Sequence, residues 1–275
     1  MGPIEIILLV FAGIAAMALI LFLVYVLVLV RPGRRVKPSP ALLCEYAHRG
    51  LYGNGVPENS LLAFELACQR GCGIELDVQL SRDGKVVVFH DGDLKRMTGV
   101  DRKVCELSAS ELTALKLAGT DQTIPLLSDV LCLVNGRVPL LVELKSDSLT
   151  DASICKKVAD VLDGYGGAYC IESFNPKLIK EMKKCLPGVF YGQLYTNSCR
   201  DTQKHSPLHI AISLMAFNFM SKPDFIAYNK ADRASLPVKL ATKLYPTPAF
   251  VWTPKGEDEV EEAHRLGEIP IFETE

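Results

Sequence analysis

Residues 74–91 read IELDVQLSRDGKVVVFHD, and this stretch indicates the fold. An apolar run that carries two acids leads to Asp83 and Gly84, and a second extended run follows at 85–90. An Asp-Gly pair between extended runs is typical of a tight hairpin, so the two arms are expected to be antiparallel. No crossover helix fits between such arms. The second arm should therefore fold back and bring His90 close to the two acids of the first.

Similar short apolar runs recur along the chain and alternate with helical stretches. The strand candidates outside the second hairpin arm span residues 45–48, 73–78, 139–144, 168–171, 189–194, 224–228, 249–252 and 270–272. Helices are predicted at 59–70, 125–134 and 255–266; in the first of these, Asn59 or Ser60 can cap the amino-terminal end. Eight strands alternating with helices predict an α/β fold, a (β/α)8 TIM barrel, with a doubly wound open sheet as the alternative.

The segment 91–123 does not contain a clear apolar strand, so it is predicted to be a small insertion after the His-Asp pair. Residues 31–40 hold three prolines and one glycine and are interpreted as a linker. The barrel domain is then expected to span 41–275.

The composition excludes several classes of protein. The chain has 275 residues, of which 49% are hydrophobic and 23% charged, so it is neither disordered nor collagen-like. Its formal net charge of −2 lacks the basic excess of a nucleic-acid-binding protein. Nine cysteines without CxxC spacing argue against a zinc module and a secreted disulfide scaffold. We therefore expect free thiols in a reducing compartment.

The amino-terminal segment is predicted to be a transmembrane helix at residues 4–30. Positions 6–30 carry no charge, and a helix of this length can cross a hydrocarbon core of about 30 Å. A cleaved signal peptide is the alternative, but it favours a basic start and an apolar core of about 7–15 residues. Glu5 precedes the run, and four basic residues follow it: Arg31, Arg34, Arg35 and Lys37. The positive-inside bias predicts an outside amino terminus and a cytoplasmic barrel.

Three acids stand at the ends of apolar strand candidates. Glu75 and Asp77 are two positions apart, so both side chains point to one face of the strand. Glu143 ends another apolar run, and Lys145 follows it on the same face. Like charges are costly to bury unless they are paired, and three carboxylates suit Ca²⁺ or Mg²⁺. The sequence therefore predicts one divalent cation here, although each acid alone would also fit a solvated strand end.

Two histidines are expected at the same rim of the barrel. His48 closes the first strand and His90 closes the hairpin, and such a pair can act as general acid and general base near neutral pH. Arg49 offers a planar fork for a phosphate or carboxylate. The remaining histidines, which no other candidate residue accompanies, are interpreted as structural: His205, His209 and His264.

Five motifs resemble those of the glycerophosphodiester phosphodiesterase family. They are AHRG at 47–50, PENSLLAF at 57–64, IELDVQLSRDGKVVVFHD at 74–91, LVELK at 141–145 and FVWT at 250–253. The resemblance covers about residues 47–252 and implies a TIM barrel. It also implies metal-assisted cleavage of a glycerophosphodiester to an alcohol and sn-glycerol 3-phosphate.

The resemblance assigns a role to each matching residue. It implies that His48 and His90 are the acid–base pair, that Glu75, Asp77 and Glu143 bind the metal, that Arg49 and Lys145 contact the phosphate, that Glu58 holds Arg49, and that Trp252 lines the pocket. Two features depart from the family pattern. WTPK replaces WTVN after the strand at 249–252, and the sequence stops at IPIFETE before a closing helix. One flank of the barrel is then expected to lie against the linker or a partner.

Membrane attachment suggests a lipid or lysolipid rather than a small, freely diffusing diester as the substrate. The nearly uncharged run at 208–220 is consistent with an apolar lip that meets lipid or an acyl chain, or with an ordinary barrel helix. Two other functions stay open on the sequence alone. They are a phospholipase C-like or D-like phosphodiesterase of similar layout and a non-catalytic, membrane-anchored barrel that binds phospholipid.

Overall fold

Eight parallel strands close into a barrel. The computed structural model describes residues 2–33, 36–146 and 151–274. Its strands are β1 (Tyr46–Ala47), β2 (Gly73–Leu80), β3 (Val86–Val88), β4 (Leu140–Leu144), β5 (Tyr169–Ser173), β6 (Phe190–Tyr195), β7 (Phe225–Asn229), β8 (Ala249–Lys255) and β9 (Ile269–Glu273). All except β3 pair in parallel in the order β1-β2-β4-β5-β6-β7-β8-β9, and β9 pairs with β1. The TIM barrel is confirmed, and the open-sheet alternative is wrong.

Strand β3 is the second arm of the predicted hairpin. It pairs antiparallel with β2, with Val78 opposite Val88 and Leu80 opposite Val86. Beyond the pairing, the Phe89 N–H donates to the Asp77 carbonyl at 2.9 Å. The chain therefore runs back along β2 and reaches the level of Asp77 just before His90.

Helices cover the outside of the barrel. The α-helices of the described residues are α1 (Pro3–Val24), α2 (Leu61–Arg70), α3 (Lys95–Thr98), α4 (Ala109–Leu112), α5 (Leu127–Val134), α6 (Ser153–Leu162), α7 (Pro176–Cys185), α8 (Ser198–Thr202), α9 (Pro207–Ser213), α10 (Asn218–Ser221), α11 (Leu236–Lys239) and α12 (Gly256–Arg265). At the start of α2 the Ser60 hydroxyl accepts the Ala63 N–H at 3.1 Å, so Ser60 is the cap. Asn59 has a different role, described below.

The predicted insertion forms a small unit with its own core. It contains α3, α4 and a 3₁₀ turn at Val104–Glu106. Buried side chains within it, including Leu94, Leu112 and Leu117, pack against Phe89. This packing fixes the loop that carries His90.

Aromatic rings fill the lower half of the barrel. Phe225 lies between Phe190 and Phe250, with ring centroids 4.8 and 4.4 Å away, and Tyr46 packs on Phe250 at 5.8 Å. Leu42, from the 3₁₀ turn Pro40–Leu42, joins the same cluster from below. Polar groups inside the barrel are therefore concentrated near the carboxyl ends of the strands, where TIM barrels carry their active sites.

Helix α1 is long and apolar enough to cross a membrane. Its 22 residues span about 33 Å at 1.5 Å per residue, and none of them is buried. A signal sequence would share these properties. A π-helical turn (Tyr25–Leu29) continues the helix onto the barrel, where the Asn218 amide donates to the Val30 carbonyl at 2.9 Å. The predicted span of 4–30 thus includes a last turn that docks on protein.

The linker packs beneath the barrel. The Gly33 N–H donates to the Pro223 carbonyl at 2.8 Å, just before β7. Arg34 and Arg35 lie outside the described residues. The guanidinium group of Arg70, on α2, lies over the ring of Phe272 on β9, 5.0 Å from the ring centroid. The linker contacts of the described residues therefore lie below β7.

The packing of the aromatic rings predicts that a side chain at Gly192 of β6 would destabilise the protein. A Cβ at this position would lie 2.1 Å from the Phe225 ring, which its neighbours hold in place. Overpacking of this kind costs about 1–3 kcal/mol, so Gly192→Ala should lower the free energy of unfolding. At about 2–4 °C per kcal/mol, thermal unfolding in detergent should show a fall of several degrees in Tm.

Gly166→Ala is the matched control, because a Cβ there has no atom within 4 Å. Its Tm should stay at the wild-type value or rise slightly. If Gly192→Ala and Gly166→Ala unfold at the same temperature, the described packing around Phe225 is wrong.

Candidate active site

Three buried carboxylates meet at the carboxyl ends of neighbouring strands. Glu75 and Asp77 lie on β2 and Glu143 on β4, and the parallel register places Asp77 directly beside Glu143. One oxygen from each side chain lies within 4.8 Å of the other two. Their exposed fractions are 2%, 0% and 6%. The three acids that the sequence selects are therefore one cluster.

The cluster has the dimensions of a cation site. Ca²⁺ binds oxygen ligands at about 2.3–2.6 Å, so oxygens up to about 5 Å apart can share one ion. An all-carboxylate donor set suits Ca²⁺ or Mg²⁺ better than zinc. Lys145 lies beside the cluster, with its Nζ 2.8 Å from Glu143 Oε1 and 3.1 Å from Asp77 Oδ1. Arg49 Nε lies 3.6 Å from Asp77 Oδ2, so two cationic side chains face three acids, and when all three are ionised a negative charge is left that a cation would offset.

Burial and neighbouring charges shift the pKa values of the three acids in different directions. Burial raises the pKa of Glu143 to about 7, and burial together with the Asp77 charge raises the pKa of Glu75 well above its usual value. Burial also acts on Asp77, but Lys145, His90 and Arg49 outweigh it and hold the pKa of Asp77 below its usual range. Without a cation, the cluster thus prefers to carry protons near neutral pH.

Two turn residues hold the acids from the β1 side. Asn59 donates from its amide Nδ2 to Asp77 Oδ2 at 2.8 Å. The Arg49 backbone N–H donates to Glu75 Oε2 at 2.8 Å. Both Arg49 and Asn59 have left-handed φ angles, +56° and +53°. Such angles are uncommon outside glycine, and asparagine tolerates them best. The turns after β1 are thus shaped so that their donors reach the cluster.

Each of the two histidines is oriented by a carboxylate. His48 Nδ1 lies 2.8 Å from Glu273 Oε1, and His90 Nδ1 lies 2.7 Å from Asp91 Oδ1. Because Nδ1 is engaged, Nε2 is the atom left for proton transfer in both rings. Burial lowers the pKa of His90, although Asp77 opposes this, so the neutral ring is favoured at pH 7.

A chain of ion pairs connects the two sides of the rim. Arg49 Nη1 donates to Glu58 Oε1 at 2.8 Å, and Arg96 Nη2 donates to the same oxygen at 2.6 Å. Arg96 Nε also donates to Asp91 Oδ2 at 2.6 Å. Glu58 therefore contacts Arg49, and through Arg96 it is linked to the carboxylate that orients His90.

A cavity of about 400 Å³ gathers most of the selected side chains. The predicted site residues that line it are His48, Arg49, Glu75, His90, Glu143, Lys145 and Trp252. Asp77 is buried among them, and Glu58 lies behind Arg49. Phe174 meets Trp252 edge to face, with centroids 5.9 Å apart. The other histidines lie elsewhere: His209 Nδ1 is 2.7 Å from the Ser198 hydroxyl, His264 pairs with Glu45, and His205 is exposed.

Sequence reasoning missed several residues of this site, among them Asn59, Glu172 and Glu273. Asn59 was considered only as a helix cap. Glu172 of β5 lines the cavity, is 1% exposed, and has one carboxylate oxygen without a hydrogen-bond partner among the described residues. Glu273 of β9 orients His48. The available signal was an acid next to an apolar run, as with Glu143, but the predicted strands ended one residue before Glu172 and Glu273.

Comparisons with known proteins show which family the chain resembles. The model of the glycerophosphoryl diester phosphodiesterase family matches residues 48–273. The glycerophosphodiester phosphodiesterase of Caldanaerobacter subterraneus subsp. tengcongensis is 32% identical over 238 residues, covering 80% of this chain and 89% of the relative. Lysophospholipase D GDPD1 of Rattus norvegicus is 40% identical over 97 residues, which are 30% of this chain and 31% of the relative.

A solved structure has the same fold. It is a phosphodiesterase of Oleispira antarctica in complex with the product sn-glycerol-3-phosphate, with 22% identity and a TM-score of 0.69 over 86% of this chain and 95% of that one. The family model spans most of the chain, and the Caldanaerobacter relative aligns over most of its own length. The chain therefore belongs to the glycerophosphoryl diester phosphodiesterase family, and it is a phosphoric diester hydrolase.

Proposed function

We propose that the enzyme hydrolyses a glycerophosphodiester or lysophospholipid with one divalent cation, Ca²⁺ or Mg²⁺, and a pair of histidines. The products would be an alcohol and sn-glycerol 3-phosphate, or lysophosphatidate from a lysophospholipid. The observation that carries this proposal is the cluster of Glu75, Asp77 and Glu143 at a cavity that is also lined by two histidines, each oriented by a carboxylate.

The charges in the cavity favour a bound cation and a phosphate. Four buried carboxylates, including Glu172, face two cationic side chains, Arg49 and Lys145. A divalent cation would balance this excess and, when bound, would polarise the phosphate oxygens. Arg49 and Lys145 would bind the remaining phosphate oxygens, and Glu58 would keep the Arg49 guanidinium in place.

The two histidines would move the protons. The lowered pKa of His90 suits a general base, which would take the proton from the nucleophile through Nε2. The nucleophile would be a water, which gives the phosphomonoester directly, or the glycerol 2-hydroxyl, which gives a transient cyclic phosphate that a water then opens. His48, paired with Glu273, would donate a proton to the leaving alkoxide. Trp252 and Phe174 would line the space for the glycerol or alcohol group.

The products decide between this reaction and its alternative. Cleavage on the alcohol side of the phosphate yields glycerol 3-phosphate or lysophosphatidate, whereas phospholipase C-like cleavage yields a phosphorylated head group. Analysis of the products of glycerophosphocholine, with and without chelator, separates the two. We expect glycerol 3-phosphate and choline, and phosphocholine would contradict the proposal.

Several observations favour a membrane-bound enzyme that acts on lysophospholipids. A relative is named a lysophospholipase D, and helix α1 can span a bilayer. Basic residues follow the helix and only Glu5 precedes it, so the amino terminus would lie outside and the barrel in the cytoplasm. All nine cysteines are free thiols, which suits that compartment.

Replacement of either histidine should remove most of the activity. Acid–base groups contribute at least about 10²-fold, so His48→Ala and His90→Ala should each lower kcat by that factor, measured on glycerophosphocholine with cation present. His205→Ala is the control, because this exposed histidine lies outside the cavity. Wild-type turnover by either cavity variant would refute the assignment.

A cation should stabilise the protein through the acidic cluster. At about 100 times its Kd, a ligand adds about 2.7 kcal/mol, which corresponds to a rise in Tm of roughly 5–10 °C. EDTA should abolish both this rise and the activity, and Ca²⁺ or Mg²⁺ should restore them. Asp77→Asn should lose the rise, while the exposed Asp163→Asn should keep it. An equal rise in both variants would place the cation elsewhere.

The effect of the cation should depend on pH. Glu143 must lose its proton to bind the cation, and its pKa is about 7 without one. The raised pKa means that protons compete more strongly as the pH falls below 7. The cation-induced rise in Tm should therefore be larger at pH 8 than at pH 6 at one fixed cation concentration. The same rise at both pH values would show that Glu143 is not a ligand.

A further inference from the structure

A second cavity of about 600 Å³ adjoins the active-site cavity. Glu143, Lys145, Phe174 and Leu194 line both of them, so the two spaces meet at the acidic cluster. A ligand with its phosphate at the cluster could therefore extend into the second cavity without leaving the protein.

The wall of the second cavity away from the cluster is apolar. It is formed by the segment of helices α9 and α10 and the turn between them, which contributes Leu208, Ile212, Met215, Phe217 and Met220. The volume falls within the roughly 300–1,000 Å³ of small-molecule sites. A space that is cationic and acidic at one end and apolar at the other suits a molecule with a polar head and a hydrocarbon tail.

The same segment also receives the end of the apolar helix. Asn218, which lines the cavity, donates to the Val30 carbonyl, and Met215 packs in one cluster with Val30. The segment exposes further apolar side chains to the surroundings: Leu208, Ile210, Leu214 and Phe219. The cavity wall thus lies where the chain would leave the bilayer, next to a surface that could touch lipid.

We propose that the second cavity holds the acyl chain of a monoacyl glycerophospholipid whose phosphodiester lies at the acidic cluster. This inference rests on the proposed function, because the cluster must bind the phosphodiester. One hydrocarbon chain is the occupant that matches an apolar cavity continuous with a phosphate site and adjacent to the membrane.

Chain-length selectivity tests the proposal in the full-length enzyme. Glycerophosphocholine and lysophosphatidylcholines with 8, 12 and 16 carbons would be compared by kcat/KM for wild type and for Ile212→Asp and Leu208→Asp. Partitioning into detergent lowers the free concentration of a substrate equally for variant and wild type. The ratio of their kcat/KM values at each chain length is therefore independent of it. Each methylene that loses apolar contact weakens binding by about fourfold. The variants should therefore lose at least about tenfold more kcat/KM for the 16-carbon substrate than for glycerophosphocholine.

Leu266→Asp is the matched control. Leu266 is 44% exposed, as Leu208 is 45% exposed, but it does not line the cavity. Its ratio should be the same at every chain length. Equal losses at all chain lengths in Ile212→Asp and Leu208→Asp would overturn the proposal.

A binding measurement separates this proposal from the proposed function. Trp252 is the single tryptophan of the chain, and it packs on Phe174, which lines both cavities. In the His90→Ala variant, which keeps the acidic cluster but should not turn over the substrate, lysophosphatidylcholine brominated near the glycerol should, with cation present, quench Trp252 emission more than the same lipid brominated at the chain end. Quenching in this variant together with no hydrolysis by the wild type under any cation would support the acyl site and refute the proposed function. Hydrolysis of glycerophosphocholine with neither quenching nor a chain-length effect would refute the acyl site alone.

Discussion

The active site depends on one electrostatic constraint, the burial of three carboxylates within 4.8 Å of one another. Such a cluster is unfavourable unless cations and hydrogen-bond donors face it. The protein supplies Lys145 and the Asn59 amide, and two turns with left-handed residues direct their donors to Asp77 and Glu75. These partners offset only part of the negative charge. The remaining excess is the physical reason for a cation at this site.

The barrel and the central site residues could be predicted from the sequence because each strand is a short apolar run, and observed strand ends lie within three residues of the predicted ones. The hairpin could also be predicted, because Asp83 and Gly84 determine it locally. Glu172 and Glu273 could not, because the predicted strands stopped one residue early. The ion pairs of Arg96 depend on how the insertion packs, which no local pattern reveals.

The segment 207–221 shows where a continuous apolar run is ambiguous. Its composition fits a helix covering the barrel or a lip in lipid, and the structure has two short helices, α9 and α10, that wall a cavity. Met215, between them, has a φ angle of +51°, a local turn that hydrophobicity does not predict. The same segment contacts Val30, so it links the end of the apolar amino-terminal helix to the cavity beside the acidic cluster.

The most direct test of this account is the position of the cation. Crystals of the protein grown with Mn²⁺ as a substitute for Mg²⁺ would be measured at the manganese absorption edge. We expect one anomalous peak within about 2.0–2.6 Å of oxygens from Glu75, Asp77 and Glu143. A peak at other side chains, with the three carboxylates left without a metal, would contradict the central claim.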